Sequence, residues 1–556
     1  MMTRNFKDLD KEFDVIIVGG GIYGTAMAWE AVARGLSVVL FEKKDFVSAT
    51  SSNSLKIIHG GLRYLQSLDI KRVLESVRER KVLLGIAPHL IQPLPCIMPT
   101  YGMTMKSKHV MWAGMLVNDI LSCDRNIGLD PQRKLPNCRV LSRSASQKLL
   151  PALTDGNYTG SACWYDGQAY NTERLPLSYL LSAVDKGALA FNYTRVDGFL
   201  RSGDKVTGVK IVDQLSGNEL EVRGKMVVTT AGPWTNTLMG MLNGKSTERF
   251  VLSKAINLVL KRKISNDLAL GITSKIVYEQ GVKRERAKRR QLFITPWRDY
   301  TVVGTTHLPW SGNPDEYRVS ESDIQDFLLE LNDLLPETKL ERSDVTFVHG
   351  GVLPLVEEPV PGQDVKLMGH YHVVDQAKIS GIEGLMNVVG VKYTTARDVA
   401  EKVMAQVARK LGTTRSVFST RTTPLIGANI GSVQDFMNTS KVPDVSPETA
   451  LSLLRNYGTE FTRITSLYAS EPELKEPVAD GSHVIAAQVV HAIRYEGAQK
   501  LSDVVLRRTD LGSGEQPSDQ ALETCAKLMA RELGWDPERM ASEIRETLAL
   551  YQPAKG

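Results

Sequence analysis

Residues 14–42 read DVIIVGGGIYGTAMAWEAVARGLSVVLFE, and the order of residue types here decides the fold. Asp14 is followed by a short aliphatic run rich in β-branched residues, the signature of a strand covered on both faces. Gly19, Gly21 and Gly24 then open an alanine-rich helical stretch closed by Gly35, and SVVLFE forms a second strand ending at Glu42. With 44 glycines among 556 residues the triplet alone carries little weight. The succession of strand, glycine turn, helix, strand and acid is what specifies a dinucleotide-binding βαβ unit. Gly19 permits the tight turn, Gly21 lets a pyrophosphate approach the helix N-terminus, Gly24 lets the helix close on the strand, and Glu42 is placed to meet a ribose hydroxyl.

Two later stretches extend this unit. Residues 226–234, MVVTTAGPW, form an apolar strand ending in a small-residue turn at Ala231 and Gly232; residues 385–401, LMNVVGVKYTTARDVAE, form a strand, a turn at Gly390 and a helix starting near Thr394. A nicotinamide enzyme needs only the first site, so three such stretches point to FAD. Residues 51–65, SSNSLKIIHGGLRYL, combine serines, Lys56, His59, a Gly-Gly pair and Arg63. Such a mixture suits neither a core strand nor a plain surface helix, because its cations cannot all be buried and its glycines weaken a helix.

Composition narrows the remaining classes. The net charge is +5, and the octet KRERAKRR at 283–290 supplies all of it. That octet lacks interleaved aromatics and reads as an exposed loop directly before a strand, QLFITPW, so no nucleic acid is expected as a partner. The five cysteines are scattered with no C-x-x-C pair, so neither a disulfide framework nor a metal site is expected, and a reducing cytoplasm fits. The first residues have no apolar signal core, and no run of eighteen uncharged apolar residues occurs anywhere.

The stretches ATSSNSLKIIHGGLRYL, TTAGPW, QLFITPWRDYTVVGTTH and GVKYTTARDVAE, taken together, resemble successive motifs of the FAD-dependent glycerol-3-phosphate dehydrogenases, over nearly the whole chain. The resemblance implies an α/β fold: an FAD-binding, Rossmann-like domain of the glutathione-reductase and amino-acid-oxidase type, a β-sheet substrate cap and a C-terminal helical domain. The expected bounds are 10–85, 171–245 and 346–420 for the discontinuous FAD domain, 86–170 and 246–345 for the cap, and 425–556 for the helices. Gly19, Gly21, Gly24, Glu42, Ser51, Ser52, Ala231, Gly232, Gly390 and Thr394 would then hold FAD. A helix N-terminus with Lys392 beside it suits the negative charge of a reduced flavin.

The implied reaction is oxidation of a secondary alcohol by hydride transfer to flavin N5, with Arg63 and Lys392 holding the substrate oxygen and either His59 or His370 as the base. Three positions depart from the family. Leu353, in GVLPL, stands where an arginine is usual; His370 replaces a second arginine; and Asn257, in KAINLV, replaces a histidine. These changes point away from glycerol 3-phosphate and toward another polyol, polyol phosphate or sugar derivative. An amine or 2-hydroxy-acid oxidase of the glycine-oxidase type is the alternative, since it needs one arginine for a carboxylate. A quinone or other electron acceptor and a homodimer are also expected. Trp112, Leu116 and Ile120 recur at helical spacing in HVMWAGMLVNDIL, 109–121, so peripheral attachment to the cytoplasmic face of a membrane is expected as well, with the basic octet meeting anionic lipid.

Overall fold

The aliphatic run after Asp14 folds as a strand buried on both faces, and the rest of the nucleotide sheet assembles on it. The computed structural model describes residues 2, 4–102, 107–150, 157–242, 249–355, 357, 365–413 and 416–554, and of residues 287 and 288 only the backbone. The chain runs through β1 (Phe13–Val18), α1 (Ile22–Ala33), β2 (Val38–Phe41), β3 (Ile57–Ile58), β4 (Ile91–Tyr101), α2 (Lys108–Leu121), β5 (Arg139–Ser142) and β6 (Tyr158–Ala169). Then come β7 (Leu189–Phe191), β8 (Thr194–Ser202), β9 (Lys205–Asp213), β10 (Glu219–Thr229), β11 (Val251–Leu260), β12 (Ala269–Glu279), β13 (Val282–Trp297) and β14 (Tyr300–Trp310). Helix α3 (Glu321–Leu334), β15 (Val345–Leu355), β16 (His372–Asp375), β17 (Leu385–Val389) and α4 (Ala396–Lys410) complete this part of the chain.

The first sheet has the order β16-β17-β10-β1-β2-β7, with β8 and β9 continuing from β10 as an antiparallel meander. Its central strands are parallel: Val18 pairs with Phe41 on one side and Thr229 on the other. Every residue of α1 is buried, because the helix lies between α4 and the helix Arg174–Asp185. The chain leaves β1 in one direction toward β2 and returns on the other side as β10, so a crevice opens at the carboxyl ends of these strands. Gly19, Ala231 and Gly390 all follow strands at that edge. Gly19 has φ +108°, and a Cβ there would stand 2.8 Å from the Thr230 carbonyl oxygen, so the turn admits only glycine.

The second sheet has the order β15-β11-β14-β13-β12-β4-β6-β3, with β5 added on β6. Helix α3 covers its outer face with Phe327, Leu328 and Leu331, leaving the inner face toward the crevice. The basic octet is not a loop. It lies inside β13, where Lys283, Arg284 and Arg290 pair with Tyr278, Val277 and Ser274 of β12. Charge counting hid the strand's alternation: Arg290 is buried and pairs with Glu330 of α3, while Lys283 and Arg284 meet Asp333 and Glu279 at the surface. Lys283, Arg284 and Arg290 are thus paired with acids within the cap.

Helices between Val433 and Ala549 form the third unit, and ionic groups fasten it to the other two. Asp45, just beyond β2, accepts from Arg507 Nε at 2.6 Å and from both terminal nitrogens of Arg508 at 2.9 and 2.8 Å. Burial works against the charge on Asp45, yet Arg508 and Arg507 hold its carboxyl below the usual range. Asp510 accepts from Asn171, Tyr170, Ser452 and Asn456 and lies 3.4 Å from Arg298. Removing one partner from such a buried group leaves the others charged and unpaired. Asp45→Ala is therefore expected to lower stability by about 3–5 kcal/mol in chemical denaturation; an unchanged midpoint would show that the Asp45 cluster does not fasten the domains.

Candidate active site

A cavity of about 1580 Å³ lies between the edge of the first sheet and the inner face of the second. Gly19, Gly21, Glu42, Ser51, Ala231 and Gly232 line one end. Helix α1 begins there with no side-chain cap from Gly21 and no acid in its first turn, so its positive end is open to an anion. Ser51 Oγ accepts the Ile22 amide at 3.0 Å, and a Cβ on Gly21 would sit 3.2 Å from that hydroxyl. Glu42 accepts the Gly20 and Lys44 amides at 2.7 and 2.9 Å, which fixes its carboxylate at the end of β2. Burial raises its pKa while those two amides work the other way. This is the cradle a pyrophosphate and ribose require, and these residues could hold FAD. Gly24 does not face the cavity; a Cβ on it would stand 1.9 Å from the Gly19 carbonyl oxygen, so its part is close packing of helix on turn. Ser52 is also turned away, donating to the Ala49 carbonyl at 3.1 Å.

Lys56 explains how the serine-rich segment is held. Fully buried, it donates to Glu173 at 2.9 Å, Thr172 at 3.0 Å and the Ser52 carbonyl at 3.1 Å, and it lies over the Trp297 ring. Desolvation pulls its pKa down and Glu173 opposes this. Beyond it, β3 pairs with β6 and delivers His59 to the cavity wall. His59 Nδ1 lies 3.3 Å from Asp166 Oδ2, and its ring packs on Phe293. Asp166 also accepts from the Gly60 amide at 2.7 Å, Arg80 at 2.7 Å and the Trp164 indole at 3.2 Å. Burial opposes its charge, but His59 and Arg80 hold the carboxyl well below the usual range. Gly60 must be glycine, since a Cβ would meet the Arg80 guanidinium at 2.0 Å.

Arg63 follows on a short turn, exposed to the cavity, and among the described residues its guanidinium has no hydrogen bond or ion pair. Lys392 comes from the opposite side, after β17, with Nζ 4.4 Å above the Tyr64 ring. Burial lowers its pKa to about 8, with Arg72 adding to the effect. Gly390 and Thr394 line the same wall. Leu353 and Asn257 also line the cavity, and Asn257 is held between the Asn53 carbonyl and the Thr305 hydroxyl at 3.1 and 2.7 Å.

His370 is the expected site residue that this arrangement leaves out. It lies in a small cleft that adjoins the cavity and shares Tyr23, Lys392 and Thr395 with it, its Nε2 3.6 Å from Asp69. Its ring is half exposed there rather than on the cavity wall. Reasoning from sequence missed Asp166 and Arg80, whose link to His59 spans two strands and a helix. It gave no role to His307, which lines the cavity.

A family model described as FAD dependent oxidoreductase matches residues 14–390, and one described as the C-terminal domain of alpha-glycerophosphate oxidase matches 418–540. A glycerol-3-phosphate dehydrogenase of Synechocystis sp. is 33% identical over 566 residues, covering 98% of this chain and 97% of that protein. The mitochondrial glycerol-3-phosphate dehydrogenase of Bos taurus is 31% identical, covering 96% of this chain and 72% of that one. In structure, the Bacillus halodurans glycerol-3-phosphate dehydrogenase complexed with FAD superposes with a TM-score of 0.74 at 22% identity, over 98% of this chain and 96% of that chain, which bears on the fold. On the match over residues 14–390 and the relatives at 31% and 33% identity, the chain belongs to the family of FAD-dependent glycerol-3-phosphate dehydrogenases.

Proposed function

We propose that this chain oxidises a secondary alcohol carrying an anionic group, with His59 taking the hydroxyl proton. The observation that carries this reading is the His59–Asp166 pair, aimed into a cavity that also holds the unneutralised Arg63 and the half-buried Lys392. Asp166 engages Nδ1, so it fixes the tautomer and leaves Nε2 as the proton acceptor. As the O–H proton passes to His59 and the carbinol C–H leaves with its electron pair, a ketone remains. Bound FAD supplies the acceptor for that pair. Gly19, Gly21, Glu42, Ser51, Ala231 and Gly232 would hold its nucleotide end, and Gly390, Lys392 and Thr394 would face its flavin ring. The match of a glycerophosphate-oxidase domain to the C-terminal helices favours this reading over an amine oxidase.

The relatives are named for glycerol 3-phosphate, and the substrate proposed here is a different polyol derivative. Leu353 lines the cavity where the resemblance places an arginine, and His370 lies outside it. Leaving a desolvated dianion without such a partner costs about 2–5 kcal/mol.

Attachment to the inner face of the cytoplasmic membrane, with a quinone as acceptor, completes the proposal. Trp112 and Ile120 of α2 are 58% and 63% exposed, and Leu116 and Val117 accompany them, whereas Met111 and Met115 of the same helix line the cavity. Among the described residues no helix is long and apolar enough to cross a membrane. One helix would thus separate an apolar phase from the site where electrons arrive.

Three outcomes are expected. His59→Gln and Asp166→Asn should slow flavin reduction about 10²- to 10⁴-fold while FAD content stays constant; undiminished reduction in both would remove His59 as the base. Affinity for an anionic substrate should fall as pH rises above about 8, because Lys392 then loses its proton. Lys392→Arg, which keeps its charge, should abolish that alkaline limb, and a limb unchanged in the variant would contradict the assignment. In liposome flotation, Trp112→Ser with Ile120→Ser should weaken binding at least about tenfold with little salt dependence; binding unaffected by the pair would sink membrane docking through α2.

A further inference from the structure

The inner face of the second sheet carries a row of side chains that the reaction above does not use. Arg289, Gln291 and Phe293 of β13 all line the cavity, Gln291 and Phe293 from the regular ladder with β12 and Arg289 from the irregular stretch that adjoins it. The side chain of Arg290 between them is engaged by Glu330 and Thr306. On the adjoining β14, Thr305 and His307 line the same cavity. Among the described residues Arg289 makes no hydrogen bond or ion pair, and the buried His307 Nδ1 has no partner. Arg63 lies close enough for its charge to act on His307. Two cations and an unsatisfied imidazole therefore face the cavity, and among the described residues neither arginine is ion-paired.

We propose that Arg289 and His307, with Arg63, form the anion-binding subsite of this enzyme, and that its substrate is a polyol phosphate of five or six carbons. This rests on the reaction proposed above. The charge that the resemblance expects at position 353 on β15 is supplied instead from β13, three strands and about 14 Å across the sheet. Phe293, on which His59 packs, marks the proton-accepting end. Arg289 is four residues along β13 from it, about 13 Å at ~3.3 Å per residue. An extended chain spans about 1.2 Å per bond. The distance from a carbinol at the second carbon to a terminal phosphorus is then ~3.5 Å in a three-carbon phosphate and ~7 Å in a six-carbon one. Of the two, the longer substrate comes nearer to spanning the distance from the His59 end to Arg289. Burial, with Arg290, Arg63 and Arg286 adding, holds the His307 pKa down to about 3, so the ring is neutral and offers an anion one N–H. Gln291 stands between the two ends as a hydrogen-bonding group for intervening hydroxyls.

The test uses the FAD-loaded protein, calorimetric titration with inorganic phosphate, and flavin reduction by a hexitol phosphate, the free hexitol and glycerol 3-phosphate. Arg289→Gln should weaken phosphate and raise KM for the hexitol phosphate about 10- to 100-fold. The advantage of the phosphorylated over the free hexitol should collapse, Arg289→Lys should keep most of it, and His307→Gln should reduce it. Equal effects on phosphorylated and free hexitol, or no effect on phosphate binding, would overturn the subsite. If no polyol reduces the flavin yet phosphate binding is lost in Arg289→Gln, the subsite stands and the proposed reaction falls.

Discussion

Asp166 is the group on which the rest of the site depends. Its buried carboxylate accepts from the Gly60 amide, the Arg80 guanidinium and the Trp164 indole and faces His59. A charge so far from water survives only because donors surround it. In satisfying Asp166, those donors are themselves fixed: the Gly-Gly segment is drawn against Arg80, and the imidazole is oriented into the cavity. Arg63 follows three residues after Gly60, so the same carboxylate sets where that cation enters the cavity.

The two sheets divide the labour, and the segment from Ser51 to Arg63 crosses between them. The first sheet ends in three turns that form the nucleotide cradle. The second supplies the facing wall of the cavity. Lys56, buried between Glu173 and Trp297, pins the crossing segment at its midpoint. Arg507 and Arg508 of the helical domain grip Asp45 just after Glu42, so the loop at the ribose end of the cradle is held by a domain more than four hundred residues away in the chain. Cradle, crossing segment and helical domain are therefore one mechanical unit.

What could be seen in the sequence follows from the range of the interactions. The βαβ unit at residues 14–42 was legible because strand, turn and helix each obey a local period. The exposed stripe Trp112, Leu116 and Ile120 was legible for the same reason. Asp166 and Arg80 were not, since nothing in WYDGQA or in the helix carrying Arg80 signals a partner that only β3–β6 pairing brings near. The octet 283–290 was misjudged because charge was counted where alternation mattered, which hid both the Arg290–Glu330 pair and the cavity-facing Arg289. His370 was placed by spacing alone, and its ring is half exposed rather than on the cavity wall.

The central claim is that the wall formed by β11, β13, β14 and β15 has moved the enzyme away from the substrate for which its relatives are named, while the chemistry at His59 is kept. The most direct measurement is the rate of anaerobic bleaching of the bound flavin across a panel of glycerol 3-phosphate, longer polyol phosphates, 2-hydroxy acids and amino acids. The account predicts rapid bleaching by a longer polyol phosphate and slow bleaching by glycerol 3-phosphate. Bleaching fastest with glycerol 3-phosphate, or with an amino acid, would contradict it.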